Sequence, residues 1–198
     1  MMGSKLTFTL DTNCLIALFE KEPAGDAVQR IFNAALSGEI DAAIVASSAA
    51  ERQKGQPYLA NIDAFKQRLA AHGLAKIQLL PPMLRWDVGF LDHAIWLDDQ
   101  VERREGEIFG ALFPNRPLEW SDWAISAGVD INDTTSKDFG AWKNCIIDTH
   151  IFEAHVRYSR DVFVTSDRNF FTKLALHPVF GDFKICTPAE AVELFTAK

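Results

Sequence analysis

The chain has 198 residues and a mass of 22.1 kDa, long enough for one domain with a sizeable core. Hydrophobic residues at 48% and charged residues at 24% are ordinary for a soluble globular protein and exclude global disorder. The formal net charge of −7, with 8 basic against 13 acidic groups in residues 61–140, excludes a broad basic surface for nucleic acid, so an anion-binding surface must be local or must recruit a cation.

Residues 6–10 (LTFTL) read as a strand ending at Asp11, and residues 12–20 as a helix with Leu15, Ile16, Leu18 and Phe19 on its apolar face. Pro23 suits the first turn of a second helix running to Leu36 and closed by Ser37-Gly38. Residues 40–46 read as a second strand, and Ser47 or Ser48 as the cap of a helix carrying Glu51. Residues 57–72 look helical. Ile77–Leu80 reads as a strand stopped by Pro81-Pro82.

From about 83 to 142 the composition changes. All five tryptophans (86, 96, 120, 123 and 142) fall there, with a long helix expected at about 91–113 and a loop-rich stretch after it. Packing into a secondary core or a protein interface is the expected use of these rings. The run DDQVERREGE, with Arg103 and Arg104, reads as a solvated helix face. Regularity then returns: helix at 144–158, strand at 162–165, helix at 169–176, strand at 183–186, and a last helix at 188–195 opened by Thr187. This order predicts an α/β fold, a three-layer α/β/α arrangement around a central parallel sheet. A single domain over 1–198, with 83–142 as an inserted or elaborated helical section, is the expected organisation.

No apolar run reaches the roughly 18 residues that cross a bilayer, and the first five residues lack the apolar stretch of a signal peptide. Cys14, Cys145 and Cys186 are far apart and form no CxxC spacing, which argues against a disulfide scaffold or a structural zinc site. A reducing cytoplasm is the expected location.

Ligands of parallel sheets gather at the carboxyl ends of the strands. Asp11 and Asp167 each follow an apolar strand directly, with Thr12 and Asn13 beside the first and Thr165 and Ser166 before the second. Each acid also suits a plain helix-capping role. Asp148 sits among Ile146, Ile147 and Ile151 near the expected start of a helix, where an acid needs a partner. Glu51 lies on a helix that begins at the same end of the sheet. Four carboxylates gathered there would repel one another unless a cation neutralises them. Oxygen ligands favour Mg²⁺ or Mn²⁺ over zinc, and such ions activate water and stabilise a phosphodiester transition state.

At these residues the sequence resembles the PIN-domain ribonuclease family, including toxins of the VapC type. The likeness rests on LDTNCLI around Asp11, on Glu51, on IIDTHIFEAH around Asp148 and on FVTSDRNF around Asp167, and it covers roughly residues 5–60 and 140–196. It implies a PIN-like fold and an Mg²⁺- or Mn²⁺-dependent nuclease that hydrolyses RNA, an endoribonuclease first. Asp11, Glu51, Asp148 and Asp167 become the metal-binding catalytic acids, and Asn13, Thr165, Ser166 and Asn169 their polar shell. Apart from the resemblance, Arg52, Lys54, Arg168 and Lys173 lie next to these acids and could contact phosphates, although each taken singly reads as an ordinary solvated charge. The resemblance carries an antitoxin or other protein, and a second copy of the chain, as expected partners, and no membrane. The interval of 97 residues from Glu51 to Asp148 is longer than in compact members, and Glu39 or Asp41 competes for the place of Glu51. A non-catalytic interaction module of the same fold, and a phosphatase with a strand-end Asp nucleophile, are the competing readings. Asn13 stands where that phosphatase chemistry wants a second Asp.

Overall fold

The computed structural model describes residues 5–50, 61–86, 88, 93–96 and 98–197. Five strands form one sheet: β1 (Thr7–Leu10), β2 (Asp41–Val45), β3 (Gln78–Leu80), β4 (Val162–Val164) and β5 (Lys184–Cys186). Their order is β3-β2-β1-β4-β5, and every pairing is parallel. Leu10 stands opposite Ile44 on one side and Val164 on the other. The chain leaves β1 toward β2 and returns to the far side of β1 as β4. The carboxyl ends of β1 and β4 therefore flank the point where the winding reverses, and a crevice opens there.

The strands are short and apolar, and alternate residues enter opposite cores. Phe8, Leu10, Ile44 and Val164 join one cluster with α1 (Thr12–Phe19), α2 (Gly25–Leu36), α3 (Ile62–Ala71) and α8 (Pro188–Thr196). Ala43, Val45, Leu80 and Phe163 join the other with α4 (Asp99–Leu112), α5 (Trp120–Ala127), α6 (Lys137–Arg157) and α7 (Arg168–Leu174). Helices thus cover both faces of an all-parallel sheet, which agrees with the α/β expectation and is compatible with three layers. Trp123 and Trp142 are buried in the second cluster, so part of the Trp-rich section serves as core. Among the described residues, no helix is long and apolar enough to cross a membrane.

Three elements differ from expectation. Asp98 caps α4, its side chain accepting from the backbone N–H groups of Gln100 and Val101, so the helix starts at Asp99. Just before it, Ile95 is tied into extended chain by bonds to Pro82 and Leu84. Ser47 and Ser48 lie in a 3₁₀ turn, Ala46–Ala50, where Ser48 Oγ accepts from Thr12 Oγ1 at 2.9 Å; the helix expected to carry Glu51 falls outside the described residues. Finally, α6 begins seven residues earlier than expected. Ser136 caps it, and Phe139, Trp142 and Ile146 extend its apolar stripe through Gly140.

One histidine is buried where the sheet meets α6. His155 Nδ1 lies 3.1 Å from Thr9 Oγ1, and its ring packs among Phe152, Phe163 and Phe183. Burial first, then the Arg160 charge, depress its pKa from 6.5 to about 3, against a small opposing effect of Asp161. Between those two values the unfolded chain binds a proton that the folded chain refuses, so stability falls as the pH falls. Urea unfolding should lose about 1 kcal/mol between pH 7 and 5.5 through this group alone. The same slope should be missing from His155→Gln, whatever that variant's absolute stability.

Candidate functional site

The site grows from Asp11. Its backbone N–H continues the sheet, donating to Val164 O at 2.9 Å, so the residue is fixed between β1 and β4. The side chain is 3% exposed. A carboxylate that deep must be hydrogen-bonded. Oδ1 accepts from Thr12 N at 2.7 Å and so caps α1. Oδ2 accepts from Asn13 Nδ2 at 2.6 Å and from Thr165 Oγ1 at 2.7 Å.

Thr165 connects this acid to the next. Its hydroxyl donates to Asp11 and accepts from Asn13 Nδ2 at 2.9 Å and from the Asp167 N–H at 3.0 Å. One donor and two acceptor positions are the full capacity of a hydroxyl, and all are used. Asn13 Oδ1 accepts from Ser166 N at 3.1 Å, which fastens α1 to the turn after β4. Asp167 caps α7 by accepting from Asn169 N through Oδ1 at 2.8 Å. Among the described residues its Oδ2 makes no hydrogen bond. Both strand-end acids are thus helix caps, and both also line the crevice.

Asp148 arrives from the other side. It sits in the middle of α6, not near a helix start, and this corrects the sequence expectation and removes a capping role. Asn144 lies one turn earlier on the same face. Asp11, Asn13, Asn144, Asp148, Ser166 and Asp167 line one cavity of about 350 Å³. Three carboxylates from distant parts of the chain therefore open onto one space at the switch point of the sheet. Asn144 was missed from sequence; its spacing of four from Asp148 on a helix was the signal that could have found it.

The other expected residues divide. Glu51, Arg52 and Lys54 lie outside the described residues. Asn169 directs its side chain away from the cavity lining, donating to Leu112 O at 3.4 Å. Arg168 and Lys173 are exposed on α7. Asp41 begins β2 at the opposite end of the sheet, where Arg160 Nη2 reaches its Oδ1 at 2.7 Å, so it stands away from this cavity.

Carboxylate, amide and hydroxyl oxygens make up the polar lining, a donor set that suits hard cations rather than zinc. Among the described residues, no group of three or more His, Cys, Asp or Glu side chains is placed to hold a metal ion. Chemically, the lining can accept protons, orient a water and attract a cation.

The run DDQVERREGE on α4, read as a solvated face, is so only in part: Glu102 and Arg103 are exposed, but Glu105 and Arg104 turn toward α6. Glu105 is 3% exposed. Its Oε1 accepts from Arg85 Nη1 at 2.6 Å and from His150 Nε2 at 3.0 Å. Burial raises the Glu105 carboxyl, but its bonds to His150 and the Arg85 charge outweigh that and hold it below the ordinary range. Arg104 and Arg157 both reach the buried Glu153 at 3.0 Å. These partners lie 20 to 49 residues from one another, except for the pair within α6.

Comparison of the chain with protein-family models, with curated proteins and with solved structures found no match in any of the three.

Removing the Thr165 hydroxyl should loosen the site from below. Thr165→Val leaves Asp11 Oδ2 and the Asp167 N–H each short of a partner, and urea unfolding should report a loss of roughly 1–3 kcal/mol. Thr165→Ser, which keeps the hydroxyl, should recover most of it.

Proposed function

We propose that the protein is a metal-dependent ribonuclease of the PIN-like kind, cutting RNA phosphodiesters at the cavity between β1, β4 and α6. One observation carries the reading: Asp11, Asp148 and Asp167, far apart in sequence, line the same cavity at the switch point of a parallel sheet. The motifs LDTNCLI, IIDTHIFEAH and FVTSDRNF deliver those three acids in the order the resemblance requires. An endoribonuclease is favoured, either free-standing or as the toxin of a toxin–antitoxin pair.

Asp11, Asp148 and Asp167, which as they stand are not grouped to hold an ion by themselves, would draw together around Mg²⁺ or Mn²⁺ with Glu51 as the fourth acid. When bound, the ion supplies charge neutralisation and Lewis-acid activation, the two things an acidic pocket lacks for an anionic substrate. The chain's own groups do the rest. Asn13 and Thr165 hold Asp11 in one orientation, so little reorganisation is left for the reaction. Asp167, with one oxygen given to the α7 cap, keeps the other for the proton of an attacking water. Arg168 and Lys173, exposed on α7, meet the flanking phosphates. Attack on phosphorus breaks the bond to the 3′ oxygen, leaving a 3′-hydroxyl and a 5′-phosphate.

The second reading, a non-catalytic interaction module of the same fold, is favoured by the exposure of Trp86 and Trp96. The two separate cleanly. Purified protein with Mn²⁺ should cleave a structured or single-stranded RNA, and EDTA should stop it. Asp11→Asn and Asp148→Asn should each lower the rate by at least about 100-fold while circular dichroism stays unchanged. Full activity in a folded variant would remove the site, and no cleavage of any RNA by the wild type would favour the module.

A further inference from the structure

A second cavity, of about 510 Å³, lies on the far side of α6 in the Trp-rich section. Its size is that of a built ligand site. The inner wall is a packed aromatic cluster: Trp120 meets Phe139 at 5.1 Å and Trp142 at 5.8 Å between ring centroids. Both indole N–H groups of this wall are spent on backbone carbonyls, Trp120 on Ile131 O at 2.7 Å and Trp142 on Leu118 O at 2.9 Å. What remains toward the cavity is ring. Trp86 and Trp96 form the outer wall and are 75% and 84% exposed, a large apolar area to leave in water.

Charge selects the ligand. Glu102, Glu105 and Glu119 line the cavity against a single arginine, Arg85. That guanidinium is already committed, to Glu105 at 2.6 Å and Glu119 at 2.7 Å, and lies over the Trp142 ring at 5.8 Å. A phosphate would meet surplus carboxylates. A neutral ring would leave the excess of acid over arginine, centred on Glu102, unmatched. A cation satisfies both the acids and the aromatic faces.

We propose that this cavity is a docking site for a basic side chain, arginine first, presented by a polypeptide partner. A peptide source is favoured because apolar exposure continues beyond the cavity at Ile131, whose carbonyl holds the Trp120 indole. Tryptophan and arginine are also both enriched among the residues that carry binding energy at protein interfaces. The site is separate from the acidic cavity, although α6 walls both, and it stands whether or not the protein cuts RNA.

The test uses the whole protein and two peptides that differ in one group: a Leu-Arg-Leu segment with blocked ends, and the same segment with citrulline in place of arginine. The five tryptophans give five indole N–H signals by NMR, and Trp123, buried and away from the cavity, serves as the internal reference. The arginine peptide should shift the Trp86 and Trp96 signals saturably and leave Trp123 still. Citrulline should weaken binding about tenfold or more, as should Trp96→Ala and Glu102→Gln, two substitutions at exposed positions. Equal binding of the citrulline peptide would overturn the proposal. So would the absence of saturation up to about 5 mM. Shifts of Trp86 and Trp96 by a single-stranded oligonucleotide with none by the peptide would overturn it in favour of base stacking.

Discussion

A carboxylate buried to 3% exposure cannot be left unsatisfied, and Asp11 is satisfied by groups from three directions. Thr12 belongs to its own helix, Asn13 lies across the first turn of that helix, and Thr165 comes from the end of β4. This requirement ties α1 to the far side of β1. It also sets the next acid, because the oxygen that donates to Asp11 accepts from the Asp167 backbone. Asp11 and the Asp167 backbone are thus held together by one threonine hydroxyl at the end of β4. A site built on strand ends inherits the rigidity of the sheet.

The opposite wall depends on charges too, used differently. α6 carries Asp148 and His150 two residues apart, so they point roughly 200° from each other around the axis. One lines the acidic cavity; the other binds Glu105 of α4 inside the second core. Glu153, one turn farther, takes Arg104 from the same α4. Paired charges this deep give back much of their attraction as desolvation, but an unpaired one is costly, so a slip of α4 on α6 that broke these pairs would be penalised. Phe139 and Trp142 stand on the same α6, about two to three turns before His150. The Trp-rich section is thereby joined to the helix that carries Asp148, and the two cavities share a wall.

Local signals were readable in the sequence; distant ones were not. An apolar strand running straight into Asp, then a polar pair and a helix, is a pattern of ten adjacent residues, and both Asp11 and Asp167 were found through it. The parallel order followed from alternation of strand and helix. Asp148 was identified but misplaced, because α6 buries Phe139, Ile146, Thr149, Phe152 and His155 on nearly every side and has no polar stripe to mark its length. Gly140 made its first turns look like loop. The run DDQVERREGE looked solvated because Arg85, His150 and Glu153, which occupy its inward charges, lie 20 to 49 positions away. Glu51, with Arg52 and Lys54, lies outside the described residues, and the acids lining the cavity are Asp11, Asp148 and Asp167.

The account stands on three carboxylates acting together on one hard cation. Anomalous diffraction from a crystal equilibrated with Mn²⁺ tests that most directly. The account predicts a peak inside the cavity bounded by Asp11, Asp148 and Asp167, within about 2.0–2.6 Å of carboxylate oxygens. Full Mn²⁺ occupancy elsewhere on the molecule, with that cavity holding water alone, would contradict it.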